Sequence, residues 1–447
     1  AQPIITVNYG TGTPGEASNW VAYANITRKA GIKYWEIGNE IYGNWETDTN
    51  DNPHDPFTYA TRAKNYLVAM RSADPSIKIG VIVELGEDNY ANGFSGHPAL
   101  NPRSNISHNG WTPVVLNTLK QGGVLPDFVI YHKYAQNPGN EDDNLLLQSS
   151  SSWVANAVDL RRQLTDYLGA AGSAIELFCT ENNSVSSKPG KQTTSLVNAL
   201  FMADSLGQAT TTEFKMVVWW DLRNGQDTSN NNSDSLFGWR NLGDYGIVSG
   251  TNEKYPSFFS TKLLQFFARD NDKIVLASSD YPLLSAYAAL RTNGTLSVMV
   301  INKSPSNAFT GSFALKGYQP YPKLISYSYG MVQDNPRTAG AMAPDLIKTT
   351  LTNGSTLFSQ VFEPYSLTLL SLIPSPPSLK TGSADIKAGI LAATGTVDQP
   401  LFLQSSVDLL HWTNVTEFSL LNGIGEARDF QTNGLMKFYR TSWVWAQ

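Results

Sequence analysis

Cysteine is nearly missing from this sequence, with Cys179 the one thiol. That excludes an internal disulfide and any cysteine-built zinc site. It suits a cytosolic protein or a bacterial exported one equally well. Charge is sparse as well: 16% of 447 residues, for a net value of −6. No block of Lys and Arg occurs, which argues against nucleic acid or an anionic membrane as the main partner. No apolar run reaches the length of a membrane span. Ala1 leads straight into a strand-like run, so any export signal is expected to lie outside this sequence. The five histidines, His54, His97, His108, His132 and His411, show no paired zinc-site spacing. Aromatics, in contrast, are abundant, with 11 Trp and 20 Tyr. Most such residues pack in cores, yet many here sit beside strand ends, where a sugar ring can stack.

The length suggests two or three domains. Residues 1–260 alternate short apolar runs with amphipathic stretches, the pattern of βα units around a parallel sheet. The spacing predicts strands at 4–9, 33–38, 77–83, 128–134, 175–180 and 216–221. Helices are expected at 14–30, 56–73, 112–121, 153–170 and 193–207, the first capped by Thr13 ahead of Pro14. Six strands are read where a closed (β/α)8, or TIM, barrel has eight. After a helix over 257–268 the pattern shifts, and residues 261–373 read as an antiparallel β-sandwich with strands at 283–290, 296–302, 323–329 and 357–372. Pro374-Ser-Pro-Pro-Ser378 reads as a stiff linker. Residues 374–447 then read as that linker and a small β-module, with strands at 401–405 and 437–443.

Two apolar strands end in glutamate. Lys33-Tyr-Trp-Glu-Ile-Gly-Asn-Glu40 is the first and Ile175-Glu-Leu-Phe-Cys-Thr-Glu181 the second. Taken singly, Glu40 reads as well as a helix-start carboxylate, and Glu181 as a solvated loop residue. Together they fit a barrel enzyme, whose chemistry sits at the C-terminal ends of its strands. Retaining glycosidases need two carboxyl groups roughly 5–5.5 Å apart, one protonated and one ionised. Glu36, one strand turn earlier, is expected in the barrel wall or paired with a cation there.

Tyr34-Trp-Glu-Ile-Gly-Asn-Glu40 resembles the motif that ends the fourth strand in the clan of retaining (β/α)8 glycoside hydrolases. Within that clan it is most similar to the α-L-arabinofuranosidases, whose third βα unit Ile5-Thr-Val-Asn-Tyr-Gly-Thr-Gly-Thr-Pro14 and Trp20-Val-Ala-Tyr-Ala-Asn25 also resemble. The resemblance covers about residues 1–260. It implies that Glu40 is the acid/base, that Asn39 binds the hydroxyl next to the anomeric carbon, and that Glu181 is the nucleophile. His132-Lys-Tyr134 resembles the element whose tyrosine orients that nucleophile, and Trp219-Trp220 falls where the clan places a sugar-stacking tryptophan. The family's first two strands have no counterpart here. The resemblance therefore implies a truncated chain, a barrel incomplete at its N-terminal side, or a separate polypeptide or second subunit supplying those strands.

Weaker signals complete the reading. The oxygen-rich segments Glu46–Asn52 and Asp227–Asp234 read as solvated loops before calcium sites, since neither has a calcium-loop spacing. Tyr42, Trp45, Trp111 and Trp239 are candidates for lining a cleft, with core packing the rival for each. The segment Leu403–Thr413 resembles a module near the C-termini of exported bacterial proteins, and Trp412 or Trp443 could present an aromatic face there. The expectation is a secreted or cell-surface, arabinofuranosidase-like retaining hydrolase of plant-type polysaccharide or oligosaccharide. It needs no metal and no organic cofactor. A β-xylosidase, endo-glucanase or endo-xylanase of the same clan is the enzymatic alternative, and a non-catalytic carbohydrate-binding protein the other.

Overall fold

The computed structural model describes residues 2–338, 344–380, 390–396, 400–430 and 437–443. The chain divides into two compact units, residues 1–189 with 205–225, and residues 190–204 with 226–447. In the first, strands β1 (Ile4–Val7), β2 (Tyr34–Ile37), β3 (Lys78–Ile82), β6 (Phe128–Gln136), β7 (Glu176–Val185) and β8 (Phe214–Trp219) form one parallel sheet in that order, and β4 (Ala99–Asn101) pairs with β5 (Ile106–His108) in a separate hairpin. This is an incomplete α/β barrel of six strands.

Helices α1 (Pro14–Val21), α2 (Pro56–Ala73), α3 (Trp111–Gln121), α4 (Asp143–Ser149) and α5 (Ser152–Leu168) connect the strands. Thr13 caps α1 as the sequence suggests, its hydroxyl accepting from Glu16 N at 3.1 Å. The expected single helix over 14–30 is shorter: α1 gives way to a π-helical turn at Ala22–Thr27. There the Asn25 side chain binds the backbone of Ile32 and the carboxylate of Asp74, replacing the helical ladder with side-chain bonds.

Alternation along the strands sorts the faces. Trp35 and Ile37 point outward to the helices, and Trp35 meets Trp20 edge-on at 5.8 Å. Tyr34, Phe128 and Phe178 point inward and pack against one another at 4.3–6.0 Å. This aromatic cluster fills the floor of the barrel. The strands part towards their C-terminal ends, and two buried side chains bridge the gap. The Tyr59 hydroxyl donates to Ile37 O (2.8 Å) and accepts from Ile82 N (3.1 Å), while Trp111 Nε1 donates to Ile82 O (3.0 Å). Trp111, a candidate cleft residue from the sequence, is thus a core residue.

In the second unit, after helices α6 (Leu196–Ala209), shared with the first unit in sequence, and α7 (Pro256–Leu264), strands β9 to β16 lie between Lys273 and Pro374. Six of them form an antiparallel sheet, and β12 (Phe309–Ala314) pairs with β15 (Leu357–Phe362) over its apolar face. The single strand expected over 357–372 is two strands, because Pro364 lacks an amide donor and Tyr365 takes a φ of 36°. Six short strands, β17 to β22, build two three-stranded sheets between Ser378 and Trp443 around a small core of Ala393, Leu401 and Leu420.

Candidate active site

Glu40 reaches the mouth of the barrel through a backbone that side chains rarely adopt. Gly38 and Glu40 have φ values of 76° and 39°, so the chain turns back over the sheet directly after β2. A non-glycine residue at φ > 0 next to a functional group is strain held by its surroundings. Here a Cβ on residue 38 would lie 2.9 Å from both Ile41 and Tyr9, so the glycine serves conformation and space together.

Glu181 arrives by a different device. The sequence reading ended this strand at Thr180, whereas β7 continues to Val185. In its register with β6, Tyr131 faces Cys179 and His132 faces Glu181, leaving Thr180 as an inserted residue. Such a bulge re-aims the side chain that follows it. Thr180 points inward, and Glu181, which strict alternation would turn outward, points inward too.

The two glutamates meet around His132. An oxygen of Glu40, a ring nitrogen of His132 and an oxygen of Glu181 all lie within 4.8 Å of one another. His132 Nδ1 donates to Glu40 Oε1 at 2.8 Å and lies 3.6 Å from Glu181 Oε2. Its Nε2 faces Thr180 Oγ1 at 3.2 Å. Tyr134, two residues on and therefore on the same face of β6, donates its hydroxyl to Glu181 Oε2 at 2.6 Å. Trp45 Nε1 donates to Glu40 Oε2 at 2.7 Å, and its ring is 59% exposed. It can lie there because residue 43 is glycine, where a Cβ would stand 2.3 Å from the indole.

The surroundings pull the proton affinities apart. Burial raises the Glu40 pKa, but hydrogen bonds from His132, Trp45 and Tyr42, with the imidazole charge, more than offset this and hold it below the usual carboxylate range. Burial pushes Glu181 up, outweighing the relief from the His132 charge and the Tyr134 bond, and the charges of Glu40 and Glu46 add to the rise. Burial lowers His132, but the Glu40 bond and the charges of Glu181, Glu40 and Glu36 raise it above its ordinary value. The two directions, Glu40 down and His132 up, both favour the ion-paired form of the pair.

The remaining residues named from the sequence fall into place around this core. The Asn39 amide donates to Glu46 Oε1 at 2.9 Å. Trp219 ends β8, and Trp220 follows it, 39% exposed, its backbone N–H bonded to Asn182 O at 3.1 Å beside Glu181. Tyr42 is not open to a cleft: it is 5% exposed, packed on Tyr90, Trp45 and Trp111. Burial, with the charges of Glu84 and Glu40, instead holds its hydroxyl protonated well above the ordinary range. Glu36 is buried in the barrel wall on β2, within reach of the His132 charge. It points into the barrel and accepts from the Thr6 hydroxyl (2.9 Å). The oxygens of Asp48 accept from Asn50 and His54, and those of Asp227 from Ser229 and Asn230, within their own loops. In the second unit, Trp239 is capped by the Arg240 guanidinium at 4.0 Å and Trp412 by that of Arg440 at 4.2 Å; the Trp443 side chain lies outside the described residues.

Glu84 is the residue that the sequence reading passed over. A signal was there, because Val81-Ile-Val-Glu84 repeats the pattern of apolar strand followed by glutamate seen at Glu40 and Glu181. Among the described residues, the trio Glu40, His132 and Glu181 is the group whose atoms are close enough to ligate one metal ion. Of these, His132 and Glu40 already bond each other, an arrangement suited to proton transfer.

No family model matches the chain. Over 93 residues it is 34% identical to the α-L-arabinofuranosidase C of Emericella nidulans, covering 17% of this chain and 18% of that protein. The match thus spans under a fifth of this curated relative. Among solved structures, the α-L-arabinofuranosidase of Thermotoga maritima in its arabinose complex superposes over 83% of this chain and 75% of that one, with a TM-score of 0.58 at 20% identity. The fold is that of the α-L-arabinofuranosidases. A Paenibacillus polymyxa xyloglucanase of glycoside hydrolase family 44, solved with xyloglucan, shares it at a TM-score of 0.57 and 15% identity, covering 80% of this chain and 70% of that one. The fold is thus shared with glycoside hydrolases of different substrates and by itself names no activity or sugar.

Proposed function

We propose that this chain is a retaining glycoside hydrolase acting on plant-type polysaccharide or oligosaccharide, with α-L-arabinofuranosyl groups as its first candidate substrate. The observation that carries the reading is the approach of Glu40 and Glu181 to within 4.8 Å at the mouth of one barrel. That separation suits double displacement, for which the carboxyl groups lie about 5–5.5 Å apart, and leaves no room for the water of an inverting site at roughly 6.5–9.5 Å. Glu181, oriented by Tyr134, attacks the anomeric carbon as the bond to the leaving oxygen breaks. Glu40 passes a proton to that oxygen and then takes one from the water that releases the sugar. Asn39 is placed to bind the neighbouring hydroxyl, and Trp45 and Trp220 offer exposed rings for stacking. Export of the protein to meet a polymeric substrate belongs to the same proposal.

Aryl glycosides and plant polysaccharides, with product configuration followed by NMR, test this reading. Retention is expected. Glu181→Gln should lower kcat by at least about 10⁴-fold while sugar binding persists, and Glu40→Gln by about 10²–10⁴-fold, least with good leaving groups. Inverted product, or hydrolysis surviving in Glu181→Gln, overturns it. A binding protein would hold sugar without any turnover and would be indifferent to both substitutions.

A further inference from the structure

Asn39 has two ends with which to meet the hydroxyl next to the anomeric carbon. Its amide oxygen accepts and its nitrogen donates, so the way the amide lies decides what it offers a sugar. The segment after Glu40 settles this. Two tight turns follow one another there: Gly43 N donates to Glu40 O (2.7 Å), and Glu46 N donates to Gly43 O (3.1 Å). They fold the chain back on itself, so that the neighbours Trp45 and Glu46 meet the neighbours Glu40 and Asn39. Trp45 Nε1 donates to Glu40 Oε2 at 2.7 Å, and Asn39 Nδ2 donates to Glu46 Oε1 at 2.9 Å. One loop end thus holds both strand-end side chains.

The far side of this loop is tied down as well. Thr49 donates to Gly10 O through its N–H (3.0 Å) and through its hydroxyl (2.9 Å). A Cβ on residue 10 would stand 1.8 Å from Thr47 O, so the segment after β1 lies against the loop only with glycine at that position. Space therefore accounts for the first glycine of Asn8-Tyr-Gly-Thr-Gly12. Glu46 sits between two anchored points, Gly43 and Thr49, and its backbone has little freedom to carry the carboxyl group away from Asn39.

A carboxylate only accepts, so the end of Asn39 that faces Glu46 is its nitrogen. Turned over, the amide would set its own oxygen against a carboxylate oxygen. A bond to a charged acceptor is about twice as strong as one between neutral groups, and this one is partly buried, where water competes less. The amide oxygen and the second N–H of Asn39 are thereby left for the sugar. We infer that Glu46 is a positioning residue, which fixes the Asn39 amide so that these two groups meet the hydroxyl next to the anomeric carbon. Glu46 itself touches no reacting atom, and the inference rests on the retaining reading above. Hydrogen bonds to that hydroxyl strengthen as the transition state is reached. An amide held in one orientation beforehand therefore speeds the chemical step more than it tightens binding.

The test uses the whole chain and the variants Glu46→Ala, Glu46→Gln and Glu181→Gln, each checked for a cooperative thermal transition. The substrates are an aryl α-L-arabinofuranoside and its 2-deoxy analogue, which lacks the hydroxyl in question. Glu46→Ala should lower kcat about 10–100-fold on the first, with KM within about threefold, and alter the second by no more than about twofold. Glu46→Gln can turn its own amide oxygen to Asn39 and should stay within about fivefold of the parent. Equal losses on both substrates mark a merely structural role and overturn the inference, as does an undiminished rate in Glu46→Ala. A parent inactive on every aryl glycoside, or an active Glu181→Gln, overturns the retaining reading instead. Nitrogen-15 spectra of an asparagine-labelled chain then still decide the orientation. The Asn39 side-chain signals, assigned by their loss in Asn39→Asp, should move in Glu46→Ala, and their response to free L-arabinose should shrink there. Signals indifferent to residue 46 refute it.

Discussion

Single residues in this site hold proton affinities that their surroundings, not their chemistry, decide. Glu40, Glu181 and Glu84 share one side chain and lie in one barrel mouth, yet Glu40 is held down by donors while the other two are pushed up by burial. A raised carboxyl pKa has a consequence for stability that can be signed. The folded state binds the Glu84 proton more tightly than the unfolded chain does. Its contribution is therefore fully present below the unfolded pKa of about 4.3 and is lost as pH rises through the folded value of about 7. Glu84→Gln removes the buried charge. At pH 8 the variant should unfold at higher denaturant than the parent, by on the order of 1–3 kcal/mol, and the gap should close as pH falls towards 4. Chemical denaturation at several pH values checks this, and a gap that widens on acidification contradicts it. Glu40 and Glu181 were legible in the sequence because each ends an apolar run. Glu84 carries the same pattern, but only its burial sets it apart, and that burial is made by segments distant in sequence.

Among the elements, the strand ends decide the geometry. Where β2 and β3 part, the Tyr59 hydroxyl satisfies the Ile37 carbonyl and the Ile82 amide, both out of reach of solvent. Tyr59→Phe leaves a buried donor and a buried acceptor unpaired, and should destabilise the chain by about 1–3 kcal/mol. Hydrolysis should weaken with it, since β2 carries Glu40. Thermal and denaturant unfolding measure the first effect, and a variant as stable as the parent would remove Tyr59 from this role. Helix α2 was readable to the residue, Pro56–Ala73, because Asp55 caps it and Pro56 opens it. The bulge at Thr180 was not. A two-residue period says which face a side chain takes only while the register holds, and the register shift depends on pairing with β6. The break of strand 357–372 at Pro364-Tyr365 had a visible signal in its proline; the rest of that turn came from the positive φ of Tyr365.

For the whole molecule, the open feature is the sheet of the first unit. Among the described residues β1 pairs only with β2, and β8 only with β7. Ile4, Ile5, Met216, Val217 and Val218 on these edge strands are partly exposed, and open apolar edges invite pairing. The partner read from the sequence stays a proposal on this footing: a further β-segment, in the same chain or another, pairs with these edges. Hydrogen exchange measured strand by strand tests it. With the edges covered, the amides of β1 and β8 should exchange as slowly as those of β3; exchange about a hundredfold faster would show bare edges and sink the proposal. The sequence by itself determined the alternation of strands and helices, the shift to antiparallel sheet after residue 260, and the two strand-end glutamates, because periodicity and turn chemistry are local. Only the tertiary structure decided that Glu40 and Glu181 share His132 and that Tyr42 is buried rather than open to a cleft. Those are contacts between separate strands, and their distances follow from curvature, bulge and packing that no single segment encodes.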